Sequence, residues 1–64
     1  MKHTFEDAHP GIICDKSGME PIVGLRFSLP GENYDLCEAE YLKLSEEEKA
    51  SYEKIAPPEA RSFL

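Results

Sequence analysis

Apolar and polar residues alternate between positions 21 and 29, and a period of two is typical of a half-buried β-strand. The apolar residues Ile22, Val23, Leu25, Phe27 and Leu29 come close to this alternation, with Gly24, Arg26 and Ser28 on the other face. Residues 30–33 have turn composition, so residues 34–36 are predicted to pair back as a further strand. A shorter apolar run at residues 12–14, before the turn-forming residues 15–18, predicts a first short strand.

The second half of the chain changes to a helical pattern. A short helix is predicted after Cys37, and a second one from Ser45 to Ile55. Ser45 followed three residues later by Glu48 is a capping box, in which each residue satisfies a backbone N–H at the start of the helix. Proline at positions 57 and 58 ends the helix because it cannot continue the hydrogen-bond ladder.

These elements predict one small α+β domain with a two- or three-stranded antiparallel sheet, a short helix and an added C-terminal helix. We assign residues 1–8 to a lead-in, 9–56 to the domain and 57–64 to a tail. A domain of 64 residues buries little surface, so a metal, a disulfide or a partner is expected to add stability.

The charge of the chain argues against several classes of partner. Thirteen acidic residues against seven basic ones give a net charge of −6, which repels phosphates and makes nucleic acid a poor partner. The same charge favours a cationic peptide or a free amino terminus. We expect no membrane partner and an intracellular location, cytoplasmic or nuclear, because neither an export signal nor an apolar run near 20 residues is visible.

Several blocks of residues occur in the order, and nearly at the spacing, of a ZZ-type zinc finger. They are His9-Pro10-Gly11-Ile12-Ile13-Cys14-Asp15, Gly18, Pro21-Ile22-Val23-Gly24, Arg26-Phe27 and Asn33-Tyr34-Asp35-Leu36-Cys37. The chain resembles this family over about residues 9–44. The resemblance implies a compact cross-brace fold with two zinc ions. It also implies a role in binding a protein partner, within a larger polypeptide or complex.

Most of the zinc ligands that the resemblance implies are missing, so the chain is similar to a degenerate ZZ domain. The first and third ligand pairs keep one cysteine each, Cys14 and Cys37, with Ser17 and Glu40 at the other two positions. The second pair is replaced by the turn at residues 28–31, and the closing histidines are absent. We therefore expect no zinc at the second site and at most one zinc in the protein.

Loss of the second zinc would have to be offset by apolar packing. Leu29 lies near a former ligand position, and the predicted C-terminal helix can cover the sheet. We expect this hydrophobic plug to replace the second metal, with side chains contributed by Leu42, Leu44, Tyr52 and Ile55.

Three alternatives stay open for the residual first site. The resemblance places Cys14 and Cys37 on either side of one zinc position, with Glu40 as a third ligand and His3, His9 or water as further donors. The two thiols are alternatively free and buried, or joined in a disulfide that closes a loop of some two dozen residues. Zinc shared between two chains is included in the first alternative.

The resemblance also predicts a peptide-binding site, made by Asp15, Asn33 and Asp35. In several ZZ domains an acidic pocket takes the free amino terminus of a peptide, and these residues stand at the corresponding positions. Asn33 replaces an acidic residue that is common there. The competing interpretation is that Asp15 and Asp35 accept backbone hydrogen bonds in turns.

We do not expect an enzyme. His9 precedes Cys14 by five residues, but no third group that would orient the histidine can be assigned, and no phosphate-binding loop is present. The sequence thus predicts a protein-interaction module. The alternatives are a structural domain that has lost zinc and ligand binding, or a dithiol switch.

Overall fold

The computed structural model describes residues 7–58 and has an α+β fold. Its strands are β1 (Ala8–His9), β2 (Ile22–Val23), β3 (Arg26–Ser28), β4 (Asp35–Cys37) and β5 (Glu53–Ile55), and its helices are α1 (Glu38–Tyr41) and α2 (Glu46–Lys49). β1 and β2 form an antiparallel pair, and β4, β3 and β5 form an antiparallel sheet in that order. The predicted small α+β fold is therefore confirmed.

The outermost predicted segments lie largely outside this range. The lead-in at residues 1–6 and the tail at residues 59–64 fall outside the described residues, whereas Ala8 is buried and pairs with Val23. Within residues 7–58, no helix has the length and apolar character needed to cross a membrane.

The predicted strand over residues 21–29 is in fact two strands, β2 and β3. Gly24 separates them with a φ of +89°, a left-handed conformation that glycine adopts without steric cost. Its N–H donates to the carbonyl of Asp7 at 2.7 Å, which fixes the bend. The predicted strand at residues 12–14 was also wrong, because the first strand is β1 and residues 12–14 follow it as a loop.

The hydrogen bonds between β3 and β4 determine which backbone groups face outward. Leu29 donates its N–H to the carbonyl of Tyr34 at 3.1 Å, just beyond the register that pairs Phe27 with Leu36. Because hydrogen-bonded and non-bonded pairs alternate in an antiparallel ladder, the main-chain groups of Asp35 and Cys37 point away from β3. These groups would be unpaired in a buried strand unless another segment met them.

The C-terminal helix begins as predicted and ends earlier than predicted. The capping box is present: the Ser45 hydroxyl accepts the Glu48 N–H at 3.1 Å, and the Glu48 carboxylate accepts the Ser45 N–H at 3.1 Å. The predicted extension to Ile55 was wrong, since α2 ends at Lys49 and residues 53–55 form strand β5. Pairing with β3 satisfies the backbone of this segment and outweighs its helix propensity.

Stacked aromatic rings cover one face of the three-stranded sheet. Phe27 and Tyr41 stack with centroids 3.7 Å apart and planes 6° apart, and Tyr52 meets Tyr41 edge-on at 6.0 Å. Leu44 and Tyr52 pack against the core, as predicted for the plug. Leu42 was assigned wrongly, because it is 58% exposed.

Replacement of Tyr41 tests how much this stack contributes. Tyr41→Ala removes the ring that joins Phe27 to Tyr52, and we expect it to lower the free energy of unfolding by about 2 kcal/mol or more. Tyr41→Phe keeps the ring and loses the 3.4 Å bond from the hydroxyl to the Lys49 carbonyl, so about 1 kcal/mol or less is expected. Urea unfolding measures both; equal losses in the two variants would contradict a role for the stacked ring.

Candidate functional site

Residues 14–18, which we call the knuckle, wrap around the sulfur of Cys14. The chain turns back so that the Gly18 N–H donates to the Cys14 carbonyl at 2.9 Å. The Cys14 sulfur accepts the N–H of Ser17 at 3.4 Å and the N–H of Cys37 at 3.3 Å. The Ser17 hydroxyl lies 3.8 Å from the Cys37 sulfur. The knuckle thereby meets the outward-facing backbone of β4.

Both cysteines are free thiols, and both are buried. Cys14 is 1% exposed and Cys37 is 3% exposed, and they belong to one apolar cluster with Ile22, Phe27 and Leu36. Neither sulfur is therefore at the surface of the folded chain.

The hydrogen bonds around Cys14 favour its thiolate form. Burial of the thiol raises its pKa, but hydrogen bonds from the hydroxyl and main chain of Ser17, and from the main chain of Cys37 and Lys16, outweigh burial and lower the pKa from 9.0 to about 7. Hydrogen-bond donors from the knuckle and from β4 thus stabilise the negative charge of the Cys14 sulfur, a role that a bound cation has in a zinc finger.

Two of the other predicted zinc donors, Glu40 and His9, bond to groups away from the two sulfurs. The Glu40 carboxylate accepts a hydrogen bond from the ammonium group of Lys43 at 3.3 Å. The Nε2 of His9 lies 2.7 Å from the Gly24 carbonyl, and since a carbonyl can only accept, this nitrogen is the donor. His3 lies outside the described residues. The ring of His9 therefore ties β1 to the bend after β2.

The residues present do not fit a structural zinc ion. Such an ion takes four nitrogen, sulfur or carboxylate ligands. Among residues 7–58 no three histidine, cysteine or acidic side chains are grouped closely enough to hold a metal. The structure brings Cys14 and Cys37 together but does not add Glu40 to them as a ligand group.

The three residues predicted to bind a peptide lie around one pocket. Its volume is about 200 Å³, and it is lined by Gly11, Ile12, Ile13, Asp15, Asn33 and Asp35. The pocket forms where the start of the knuckle meets the start of β4. The structure therefore brings Asp15, Asn33 and Asp35 together.

Main-chain bonds hold the two aspartates of the pocket in fixed relation. The Asp15 N–H donates to the Asp35 carbonyl at 2.8 Å, and the Asp35 N–H donates to Oδ2 of Asp15 at 2.8 Å. Asp35 is buried, and its Oδ1 also accepts a hydrogen bond from Nε of Arg26 at 2.9 Å. Each carboxylate thus uses one oxygen to support the fold, as the competing interpretation of these residues anticipated.

The second oxygen of each carboxylate makes no hydrogen bond within residues 7–58. In that range every buried side-chain nitrogen and oxygen has a partner, so the unbonded Oδ2 of Asp35 reaches solvent. Oδ1 of the exposed Asp15 and the side-chain amide of Asn33 likewise have no partner in the described chain. Three residues that line the pocket therefore each carry a side-chain oxygen without a hydrogen-bond partner in residues 7–58.

Sequence reasoning missed two residues at this site, Arg26 and Ile13. Arg26 lies opposite Cys37 in the ladder and is therefore diagonal to Asp35, a position from which a long side chain reaches across. Ile13 is 43% exposed, and its N–H and carbonyl form no hydrogen bond in the described part of the chain, whereas Ile12 and Cys14 beside it are bonded. The register would have indicated Arg26; nothing in the sequence signals Ile13.

Comparison with known proteins finds no relative of this chain. No family model, no curated protein and no solved structure matches the chain. The ZZ resemblance accordingly stays a prediction that rests on the residues quoted above.

A chelator tests whether a metal supports the fold. Because the fold is held together by the aromatic stack and by the hydrogen bonds of the knuckle, we expect a strong zinc chelator to leave the melting temperature unchanged. Circular dichroism measures the melting curve, and elemental analysis of the untreated protein measures its zinc content. If the untreated protein holds one zinc per chain and the chelator unfolds it, the conclusion that these residues do not fit a zinc ion is wrong.

The environment of Cys14 predicts a thiol titration near neutral pH. Ultraviolet thiolate absorbance should rise with a midpoint near 7 instead of 9.0, and this transition should be missing in Cys14→Ala. Ser17→Ala should move the midpoint back toward 9.0. Because the folded pKa is lowered, the thiolate stabilises the fold fully above the ordinary pKa, and this contribution is lost as pH falls through about 7. A single transition at 9.0 would contradict the donor role of the knuckle.

Proposed function

We propose that the chain is a non-enzymatic interaction module that binds the free amino terminus of an extended peptide in the pocket formed by Asp15, Asn33 and Asp35. The observation that supports this most strongly is that three residues lining one pocket each keep a side-chain oxygen without a hydrogen-bond partner in residues 7–58. A primary ammonium group carries three N–H donors, which matches the number of these oxygens.

The charge of the pocket supports a cationic ligand. Asp15 and Asp35 contribute two negative charges, and Arg26 offsets one of them through its bond to Asp35. One net negative charge remains beside the neutral Asn33. The chain as a whole carries −6, which raises the local concentration of basic peptides near its surface.

The backbone beside the pocket supports an extended peptide. Ile13 lines the pocket, and its main-chain N–H and carbonyl are unbonded within residues 7–58. Unpaired backbone groups of this kind pair with an incoming extended chain, as an exposed sheet edge does. The acidic pocket would then hold the first residue of the peptide, and Ile13 would pair with a residue that follows it.

Peptides that differ in one acetyl group test the proposal. Acetylation removes the terminal charge and leaves one N–H, so a peptide with a free amino terminus should bind at least about tenfold more tightly than its acetylated form, or about 1.4 kcal/mol. Isothermal titration calorimetry with the reduced protein measures both affinities. Equal binding of the two peptides would reject the proposal.

Matched substitutions locate the binding site. Asp15→Asn keeps an oxygen for the N–H of Asp35 but removes the charge, so it should abolish most of the preference for the free terminus while the fold is retained. Glu47→Gln makes the same change in charge on the exposed surface of α2 and should leave the preference intact. Equal losses in both variants would show that overall charge, and not the pocket, attracts the peptide.

A further inference from the structure

The two buried thiols lie directly beside the pocket but take no part in it. Cys14 immediately precedes Asp15, and Cys37 follows Asp35 by two residues on β4. The Cys14 sulfur is 3.3 Å from the main-chain nitrogen of Cys37, and Ser17 contacts both sulfurs. The side chains of the two cysteines therefore meet at the same joint between the knuckle and β4 that sets the positions of the two aspartates.

The cover over these sulfurs is thin. Asp15, Lys16, Ser17 and Gly18 are all exposed, and they form the turn that encloses the Cys14 sulfur. A short exposed turn opens locally at far lower cost than the whole domain unfolds. Opening of the knuckle would bring the Cys14 sulfur to solvent while the three-stranded sheet stays formed.

We propose that Cys14 and Cys37 form an intramolecular disulfide by exchange with a low-molecular-weight disulfide such as oxidised glutathione. The Cys14 thiolate attacks one sulfur of the reagent, which forms a mixed disulfide and releases one reagent thiolate. The Cys37 thiolate then attacks the Cys14 sulfur and releases the second. The protein gives up two electrons and the protons of its two thiols, and the reagent disulfide is reduced to two thiols.

The disulfide would tie the knuckle to β4 next to the pocket. In the reduced protein, two hydrogen bonds between Asp15 and Asp35 hold this joint, together with the bond from the Cys37 N–H to the Cys14 sulfur. A covalent bond at the same place restricts the motion of both aspartates. This step rests on the proposed function: a more rigid pocket binds its ligand more tightly, because less freedom is lost on binding.

Intact mass after exchange tests the disulfide without any peptide. The whole chain, treated with oxidised glutathione, should lose about 2 Da, stay monomeric and carry no glutathione. Its melting temperature should rise by roughly 10 °C or more and fall back on reduction. Stable glutathione adducts, a disulfide-linked dimer, or no reaction even in mild denaturant would each overturn the proposal.

Single-cysteine variants assign the two chemical roles. Cys37→Ser keeps the main-chain N–H that bonds the Cys14 sulfur but lacks the resolving thiol, so it should retain one glutathione, mapped to Cys14 by peptide mass spectrometry. Cys14→Ser should react much more slowly, because Cys14 lies in the turn that opens whereas Cys37 lies on β4, which stays in the sheet. Adduct formation at equal rates in the two variants would assign no special role to the knuckle and would reject the proposed order of attack.

Peptide affinity measured before and after oxidation tests the link to the pocket. The oxidised chain should bind the peptide with a free amino terminus roughly threefold or more tightly than the reduced chain. If the reduced chain fails to distinguish free from acetylated termini, the proposed function fails while the mass result still decides the disulfide. If the reduced chain does distinguish them and oxidation leaves affinity unchanged, the link between thiols and pocket is rejected.

Discussion

The joint between the knuckle and β4 is the constraint on which the rest of the structure depends. All three residues of β4 are buried, and two of them, Asp35 and Cys37, turn their main-chain groups away from β3. A buried backbone group without a partner costs free energy comparable to a lost hydrogen bond. The knuckle meets these groups with a carboxylate oxygen, a backbone N–H and a sulfur. The outer edge of the sheet is thereby closed by a turn.

This joint explains why the core and the pocket cannot be separated. The Cys14 sulfur accepts hydrogen bonds on its buried side, while Asp15, the next residue, uses one carboxylate oxygen to bond β4 and leaves the other free. Asp35 divides its carboxylate in the same way between Arg26 and the solvent. Structural and binding interpretations of these aspartates are therefore compatible, because each side chain has two oxygens and the fold uses one of them.

Local signals in the sequence predicted the elements whose stabilising contacts are local. The capping box at Ser45 involves residues three positions apart, so composition alone located the start of α2. The end of α2 also involves residues outside this segment: the Tyr41 hydroxyl donates to the Lys49 carbonyl, and β3 pairs with residues 53–55. No pattern within residues 45–55 reports Tyr41 or β3 as partners. Similarly, only the structure reveals that Gly24 bends the chain between two strands.

Family resemblance predicted which residues form the site but not how each of them is bonded. Family resemblance assigned positions to Asp15, Asn33, Asp35, Cys14 and Cys37, and all five lie at the knuckle, on β4 or in the turn before it. It carried no information on how each group is used, because hydrogen bonds depend on neighbours that differ between sequences. Glu40 illustrates this: it stands at a ligand position, but its carboxylate forms an ion pair with Lys43, three residues further along the chain. At the joint itself, within residues 7–58, the Cys14 sulfur accepts hydrogen bonds from two main-chain N–H groups, and no group of three metal-binding side chains surrounds it.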